Sequence, residues 1–349
     1  MSEFRVNSIT NQDGIAGPQV CGVSTFSGKS GVQIPSGPTD FRRQDGGGRG
    51  RGVFGSGNTP SDTRRIDVIE IATTGNGVDF GDDTVDGRGE GNASFASSTR
   101  GIFAGGYSTG DGNVSNISFL TIASSGDVLN FGDLTSARSS NAGASNNTRG
   151  FSFGGNSTGS GYVNTIDFVT IATTGNANDF GDLPEIVFNT GSGISNSTRA
   201  IQHAGYNPSS GSSSVKIHSV TISTLGDATQ FGELTVSKRN AHAGSSNSTR
   251  GIIFCGQSPS SNLNSIEFIT IATEGNAQDF GDASAQKDYL GACASSTRAV
   301  CGGGQTPTKL NVMEFVTIST AGNTTDFGDL TNTRRFCQGL SDVHGGLAQ

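Results

Sequence analysis

One stretch recurs six times along the chain, and it limits the fold more than any other feature. Its clearest copy reads Thr165-Ile-Asp-Phe-Val-Thr-Ile-Ala-Thr-Thr-Gly-Asn-Ala-Asn-Asp-Phe-Gly-Asp182. The phenylalanine before each Gly-Asp or Gly-Glu falls at Phe80, Phe131, Phe180, Phe231, Phe280 and Phe327, at steps of 51, 49, 51, 49 and 47 residues. Fourteen residues before each stands an apolar residue: Ile66, Ile117, Ile166, Ile217, Ile266 or Met313. A spacing that tolerates no insertion, at a period near 50, is the mark of a repeat architecture in which each copy buries its apolar face against its neighbours.

Composition decides what the repeat is made of. The 349 residues include 54 glycines and no tryptophan, and 15% are charged against a usual ~25%. That profile suits short strands and tight turns, and the regular apolar columns argue against disorder. A net charge of -8 argues against a nucleic-acid partner, since phosphate binding needs a basic face. No apolar run approaches the ~20 residues of a membrane span. The opening Met1-Ser-Glu-Phe-Arg-Val6 lacks the apolar core of a signal peptide, so synthesis and folding in a cytoplasm are expected. Cys21, Cys255, Cys293, Cys301 and Cys337 form no C-x-x-C pair and read as free thiols filling small gaps.

Residues 1–45 do not match the repeat and read as an anchoring arm. Within it, Val20–Phe26 and Gly31–Ile34 flank Ser27-Gly-Lys-Ser30 as a short β-hairpin. Arg42 to Arg51 follow as a Gly-rich linker. From residue 46 onward, each copy resolves into four strands. An Arg-Gly or Arg-Ala opens an apolar strand. A polar loop leads to the long strand of the cassette, a turn leads to the Phe-Gly-Asp strand, and a second connection leads to a small-residue strand. Four-stranded units at this period are propeller blades. The small-residue strands, Asn141–Ser145, Gly191–Ser195, Ala241–Ser245 and Gly291–Ser295, belong at the crowded axis, and the six phenylalanines between the blades. The first copy lacks a small-residue strand and the last is followed by a spare one, Arg335–His344. The C-terminal strand is therefore expected to complete the first blade, with His344-Gly345 standing where Arg-Gly stands elsewhere. The fold expected is all-β: a six-bladed β-propeller over residues 46–349, preceded by a short hairpin or extended arm.

Two resemblances follow from these residues. The run Arg-x-x-x-Ala-Gly-x-Ser, an apolar strand ending in Gly105-Gly106, Gly154-Gly155 or Gly302-Gly303, then a long strand and an aromatic, resembles the kelch repeat, with Phe where kelch units carry Trp. The opening Phe4–Pro18, with Gly31-Val-Gln-Ile-Pro-Ser-Gly37 and the near-identical Thr-Arg-Gly and Asp-Phe-Gly-Asp copies, resembles virion structural proteins of tailed phages, especially those of marine cyanobacteria. That resemblance implies a virion protein of the tail or tail fibre. Its arm at residues 1–45 would dock on other virion proteins, and its propeller would be displayed, as a homo-oligomer, for structure or for binding a host-surface receptor or glycan.

Catalytic signatures are missing from the sequence. There is no Gly-x-Ser-x-Gly, P-loop or His-Glu-x-x-His, a sialidase box needs Trp, and His203, His218, His242 and His344 are scattered without ligand spacing. No catalytic residue, cofactor or metal is expected, and the histidines read as structural. Two charged columns repeat once per copy: Arg51, Arg100, Arg149, Arg199, Arg250 and Arg298, and Asp82, Asp133, Asp182, Glu233, Asp282 and Asp329. They read as structural ion pairs or turn hydrogen bonds rather than a ligand ring. Length variation is confined to two of the four connections, which a meander places on one face. That face carries the candidate partner-binding loops, marked by Tyr107, Asp111, Tyr162, Tyr206, Lys216 and Gln257. The functional expectation is a non-enzymatic virion component. The alternatives are a kelch-type interaction scaffold of a cell and, third, a carbohydrate-binding or carbohydrate-active protein.

Overall fold

A computed structural model describes residues 50–347 apart from 60–63, 85–87, 189–192 and 240–242; before them it gives only the short strands Gln19–Val20, Val23–Ser24, Ser27–Gly28 and Gly31–Val32. The chain forms a six-bladed β-propeller of four-stranded antiparallel sheets. Blade 3 is typical, running outward from Ala142–Ser145 at the axis through Arg149–Ser157 and Gly161–Thr170 to Asn178–Asp182 at the rim. In the arm, Gln19–Val20 pairs with Val23–Ser24 and Ser27–Gly28 with Gly31–Val32. The expected single hairpin is therefore two ladders, and Ser27 and Gly28 are strand rather than turn.

The invariant cassette is the outer hairpin of each blade. Its apolar residue pairs with the glycine after the phenylalanine in every copy, from Ile66 with Gly81 to Met313 with Gly328. An inserted residue would turn every side chain of the long strand to the opposite face. Each phenylalanine packs on the long strand of the next blade. Phe180 joins Val220, Ile222 and Ala228 of blade 4, and Phe327 joins Ile69 and Ile71 of blade 1, so the apolar interior runs round the ring.

The seams between blades are also hydrogen-bonded, main chain to main chain. Gly226 N donates to Phe180 O (3.0 Å), Ala228 N to Asp182 O (2.8 Å), and Asp182 N to Asp227 Oδ1 (2.9 Å). The same three bonds tie blade 6 to blade 1, through Gly75, Gly77 and Asn76. Rim strands would otherwise present open edges, and here the next blade's turn covers part of each. Close approach explains the glycine of Phe-Gly-Asp: at Gly181, with φ +149°, a Cβ would lie 2.6 Å from the Gly226 carbonyl.

The arginine column latches the same seams. Arg51, Arg100, Arg149, Arg199, Arg250 and Arg298 each donate an Nη1 hydrogen to the carbonyl of Ile122, Ile171, Ile222, Ile271, Ile318 or Ile71 on the next blade, at 2.8–3.3 Å. The arginine and aspartate columns do not pair with one another. The aspartate column sits at the seam through its backbone, and the capping side chain there is the neighbour's Asn or Asp.

The ring closes where Gln338–Ser341 lies antiparallel on Arg51–Gly55 as the inner strand of blade 1. In blades 3, 4 and 5 an Asn caps the inner turn, as Asn146 Oδ1 accepts from Thr148 N and Arg149 N, and in blades 2 and 6 Ser97 and Ser295 do so through Oγ. Across the chain ends Asp342 takes that role, its Oδ1 accepting from Gly50 N and Arg51 N at 3.0 and 2.8 Å. Arg51 thus already fills the arginine position, and His344 does not stand there. The chain continues inward, and His344 with the 3-10 turn Gly345–Leu347 fills the end of the axis.

Candidate functional site

The tight turns lie at one end of the blades, and the two length-variable connections at the other. Beneath the variable face, five ion pairs with nearly no solvent exposure hold the connections in place: Arg334–Asp67, Arg88–Asp83, Arg138–Asp167, Lys238–Glu267 and Lys287–Glu314. Four of the acids follow the apolar column of their own blade, and four of the cations follow the phenylalanine of the preceding blade by seven residues. The acid also grips the connection itself, as Asp167 accepts from Thr135 N (3.0 Å) and Thr135 Oγ1 (2.7 Å). Burial pulls Arg88 and Arg138 below the usual guanidinium range, against the opposing pull of Asp83 and Asp167. Burial would raise Glu267, but the Lys238 ammonium and Thr235 outweigh it and hold the carboxyl below its ordinary value.

Blade 4 departs from this plan. Val187 stands at the cation position and His218 at the acid position, and His218 Nδ1 is 3.1 Å from Gln202 Oε1 in a buried neutral pair. Burial drives the His218 imidazole down to about 4. Above it the loops are rebuilt around aromatic rings. Tyr162 stacks on Phe188 with centroids 4.1 Å apart, and Phe188 meets Tyr206 edge-on at 5.3 Å. Backbone bonds join Phe188 and Tyr206 in both directions. Glu185 accepts from Asn207 Nδ2 (3.0 Å) and Ser214 Oγ (2.9 Å), and lies 3.4 Å from Lys216 Nζ.

The six loop residues singled out in the sequence are therefore not one constellation. Tyr162, Tyr206 and Lys216 come together at the junction of blades 3 and 4. Tyr107, 40% exposed, lies on a small strand pairing with Gly112–Asn113 and with Arg88–Glu90, and Asp111 is exposed beside it. Gln257 is held inside blade 5's own loop by Arg239 Nε and Asn262 Oδ1, each at 3.1 Å. Phe188 and Glu185 were missed in the sequence, because the connection that carries them has no counterpart of the same chemistry in other copies. The buried ion pairs were also missed, although both halves show as columns once the copies are aligned on their phenylalanines.

The axis holds a cavity of about 40 Å³, lined by Gly, Ala and Ser of the inner strands, a few larger apolar side chains and His344. Space of that size takes one water or a few. His344 Nε2 is 2.9 Å from Ala96 O, its Nδ1 accepts from Gly346 N at 3.1 Å, and burial pushes the imidazole down to about 4. His203 is buried in blade 4, while His242 and Cys21 lie outside the described residues. Cys255, Cys293, Cys301 and Cys337 are buried free thiols, and burial raises Cys255 and Cys337 to about 11, far from nucleophilic. Among the described residues no three His, Cys, Asp or Glu stand together as a metal-holding group. The geometry defines a closed propeller with a filled axis and one patterned, variable face. Compared with known proteins, the chain matches no family model and no curated protein.

Proposed function

We propose that this chain is a non-enzymatic structural component of a tailed-phage particle, of tail or tail-fibre type. In this reading residues 1–45 dock on other virion proteins, and the propeller is displayed outward to build the structure or to bind the host surface. The observation that carries the reading is the division of labour between the two faces. One face repeats the same main-chain seam around the ring, while the other varies in loop length and presents exposed Tyr107 and Tyr162 on a rigid base. The axis keeps only a cavity of about 40 Å³, with His344 of the chain's own tail in its lining. The likeness of the opening segment and of the near-identical copies to phage virion proteins supports the same conclusion. Mass spectrometry of purified particles tests it. The chain is expected at stoichiometric abundance in virions of the wild-type phage, and a chain lacking residues 1–45 is expected to be made but left out of them. Absence of the intact chain from purified particles would end this reading in favour of a cellular interaction scaffold.

A further inference from the structure

The chain holds a single Asn-Gly pair, Asn76-Gly77, and it lies in the turn of blade 1 that meets blade 6. The asparagine position is the cap of each seam. Asn76, Asp127, Asn176, Asp227, Asn276 and Asn323 accept through Oδ1 the backbone N–H of the acidic column residue on the preceding blade, at 2.9–3.1 Å. The residue after the cap is Gly77, Val128, Ala177, Ala228, Ala277 or Thr324. The fold does not call for glycine at this place in blade 1: Gly77 has no positive φ, and a Cβ there would meet nothing closer than 3.4 Å. Chemically the glycine matters. In an Asn-Gly pair the next backbone nitrogen readily attacks the side-chain carboxamide, because no side chain shields that nitrogen and the backbone turns freely. Asn76 is exposed, so water reaches it. Both reacting groups are nevertheless held by one residue of blade 6. Gly77 N donates to Asp329 O at 2.7 Å, and Asn76 Oδ1 accepts from Asp329 N at 3.0 Å. For reaction the nitrogen must give up that hydrogen, and the carboxamide must leave its bond and swing onto the nitrogen. Arg298 of blade 6 latches the same turn through Ile71 O and Ala72 O, at 3.3 and 2.9 Å.

We infer that Asn76 is a site of spontaneous deamidation, guarded by the closing seam and unlocked when blades 6 and 1 part. In the reaction Gly77 N bonds to Asn76 Cγ, the Cγ–Nδ2 bond breaks, and ammonia leaves with the proton of Gly77 N. Water, the only co-reactant, then opens the cyclic imide at either carbonyl, giving aspartate or isoaspartate at position 76. The aspartate product keeps the seam, since Asp127 and Asp227 already serve as caps between blades 1 and 2 and between blades 3 and 4. The isoaspartate product lengthens the backbone by one methylene and takes its carboxylate out of register with Asp329 N. A ring that has opened is thereby marked at its closure and hindered from closing again. This inference stands independently of the virion reading.

Peptide mapping by mass spectrometry, with enzymatic methylation of isoaspartate as a second readout, tests it on the full chain aged in mildly alkaline buffer. Asn76 in folded wild type is expected to deamidate at least about tenfold more slowly than in the urea-unfolded chain, because only the opened fraction reacts. Arg298→Ala, which frees this turn, is expected to raise the folded-state rate severalfold. Arg149→Ala, which frees the corresponding turn of blade 4, is expected to leave it unchanged. Gly77→Ala is expected to suppress the reaction in both states and to melt no lower than wild type, as Ala177, Ala228 and Ala277 stand there in other seams. Equal rates in folded and unfolded wild type, or no product at position 76 in either state, would overturn the assignment, and that comparison needs no variant to fold. So would an Arg149→Ala rate raised as far as that of Arg298→Ala, since the closing seam would then have no part of its own in the protection.

Discussion

The two faces of this ring solve the same problem by different means. On the turn face, neighbouring blades are joined by backbone hydrogen bonds that any sequence with glycine at the right place can make. On the loop face, the connections are held from below by buried ion pairs, which need two particular side chains each. Backbone seams repeat without change in every blade. Side-chain anchors drift: Asp83 supplies the acid in blade 2, where Ser118 stands at the acid position, and blade 4 substitutes a neutral His218–Gln202 pair. The face that rests on replaceable anchors is the one whose loops differ, and there the aromatic cluster of blades 3 and 4 has been built.

Disturbing each face separately breaks this comparison open. The largest single loss is expected on the turn face. Gly181→Val adds a branched side chain at a positive φ and against the Gly226 carbonyl, and is expected to cost at least about 4 kcal/mol by chemical denaturation. On the loop face Asp167→Ala leaves Arg138 buried without its carboxylate and is expected to cost about 3–5 kcal/mol. The double variant Arg138→Val with Asp167→Gln, which makes the site neutral and puts blade 4's Val at the cation position, is expected to lose less than Asp167→Ala alone. A double variant at least as damaged as the single one would show that the loop face depends on charge itself.

The pH response is expected to be smaller and to have two signs. His218 and His344 titrate near 4 when folded and near 6.5 when unfolded, so the unfolded chain binds more protons between those values. Their contribution is complete above pH ~6.5 and is lost as pH falls toward 4. Burial raises Asp288 to about 6, so its contribution runs the other way, complete below pH ~3.8 and lost as pH rises through 6. His218→Gln is expected to flatten the fall in melting temperature between pH 6.5 and 4. Smallest of all, Tyr162→Ala on the exposed stack is expected to shift stability by no more than about 1 kcal/mol while altering whatever the loop face binds. A larger destabilisation would make Tyr162 part of the scaffold.

How far the chain could be read in advance follows from the same contrast. The spacing of Ile166 and Phe180, the glycine after it and the small inner strand are positional demands of backbone geometry, and each leaves one residue type at one place. The number of blades and their strand order were legible for that reason. The arginine column was visible but its partner was not, because the partner is a backbone carbonyl of the next blade, and carbonyls occur at every residue. Asp167 and Arg138 were visible as letters, yet their pairing joins two columns 29 residues apart and on separate strands. His344 was misplaced because Arg51 already holds the position beside it, a fact of the chain ends meeting in space rather than of the repeat. At the loop face only the bounds of the variable segments were readable. Which loops touch depends on Phe188 bridging Tyr162 and Tyr206, and that bridge has no repeat behind it.

The central claim is that six seams close on themselves through the C-terminal strand. Scanning calorimetry of the chain truncated after Thr333 tests it most directly. Truncation removes the inner strand of blade 1, the Arg334–Asp67 pair, the Asp342 cap and the buried Leu340, Val343 and Leu347. The account predicts that the single transition of the full chain is lost or falls by at least about 10 °C, at roughly 2 °C per kcal/mol. A truncated chain that melts in one transition at the temperature of the full chain would contradict it.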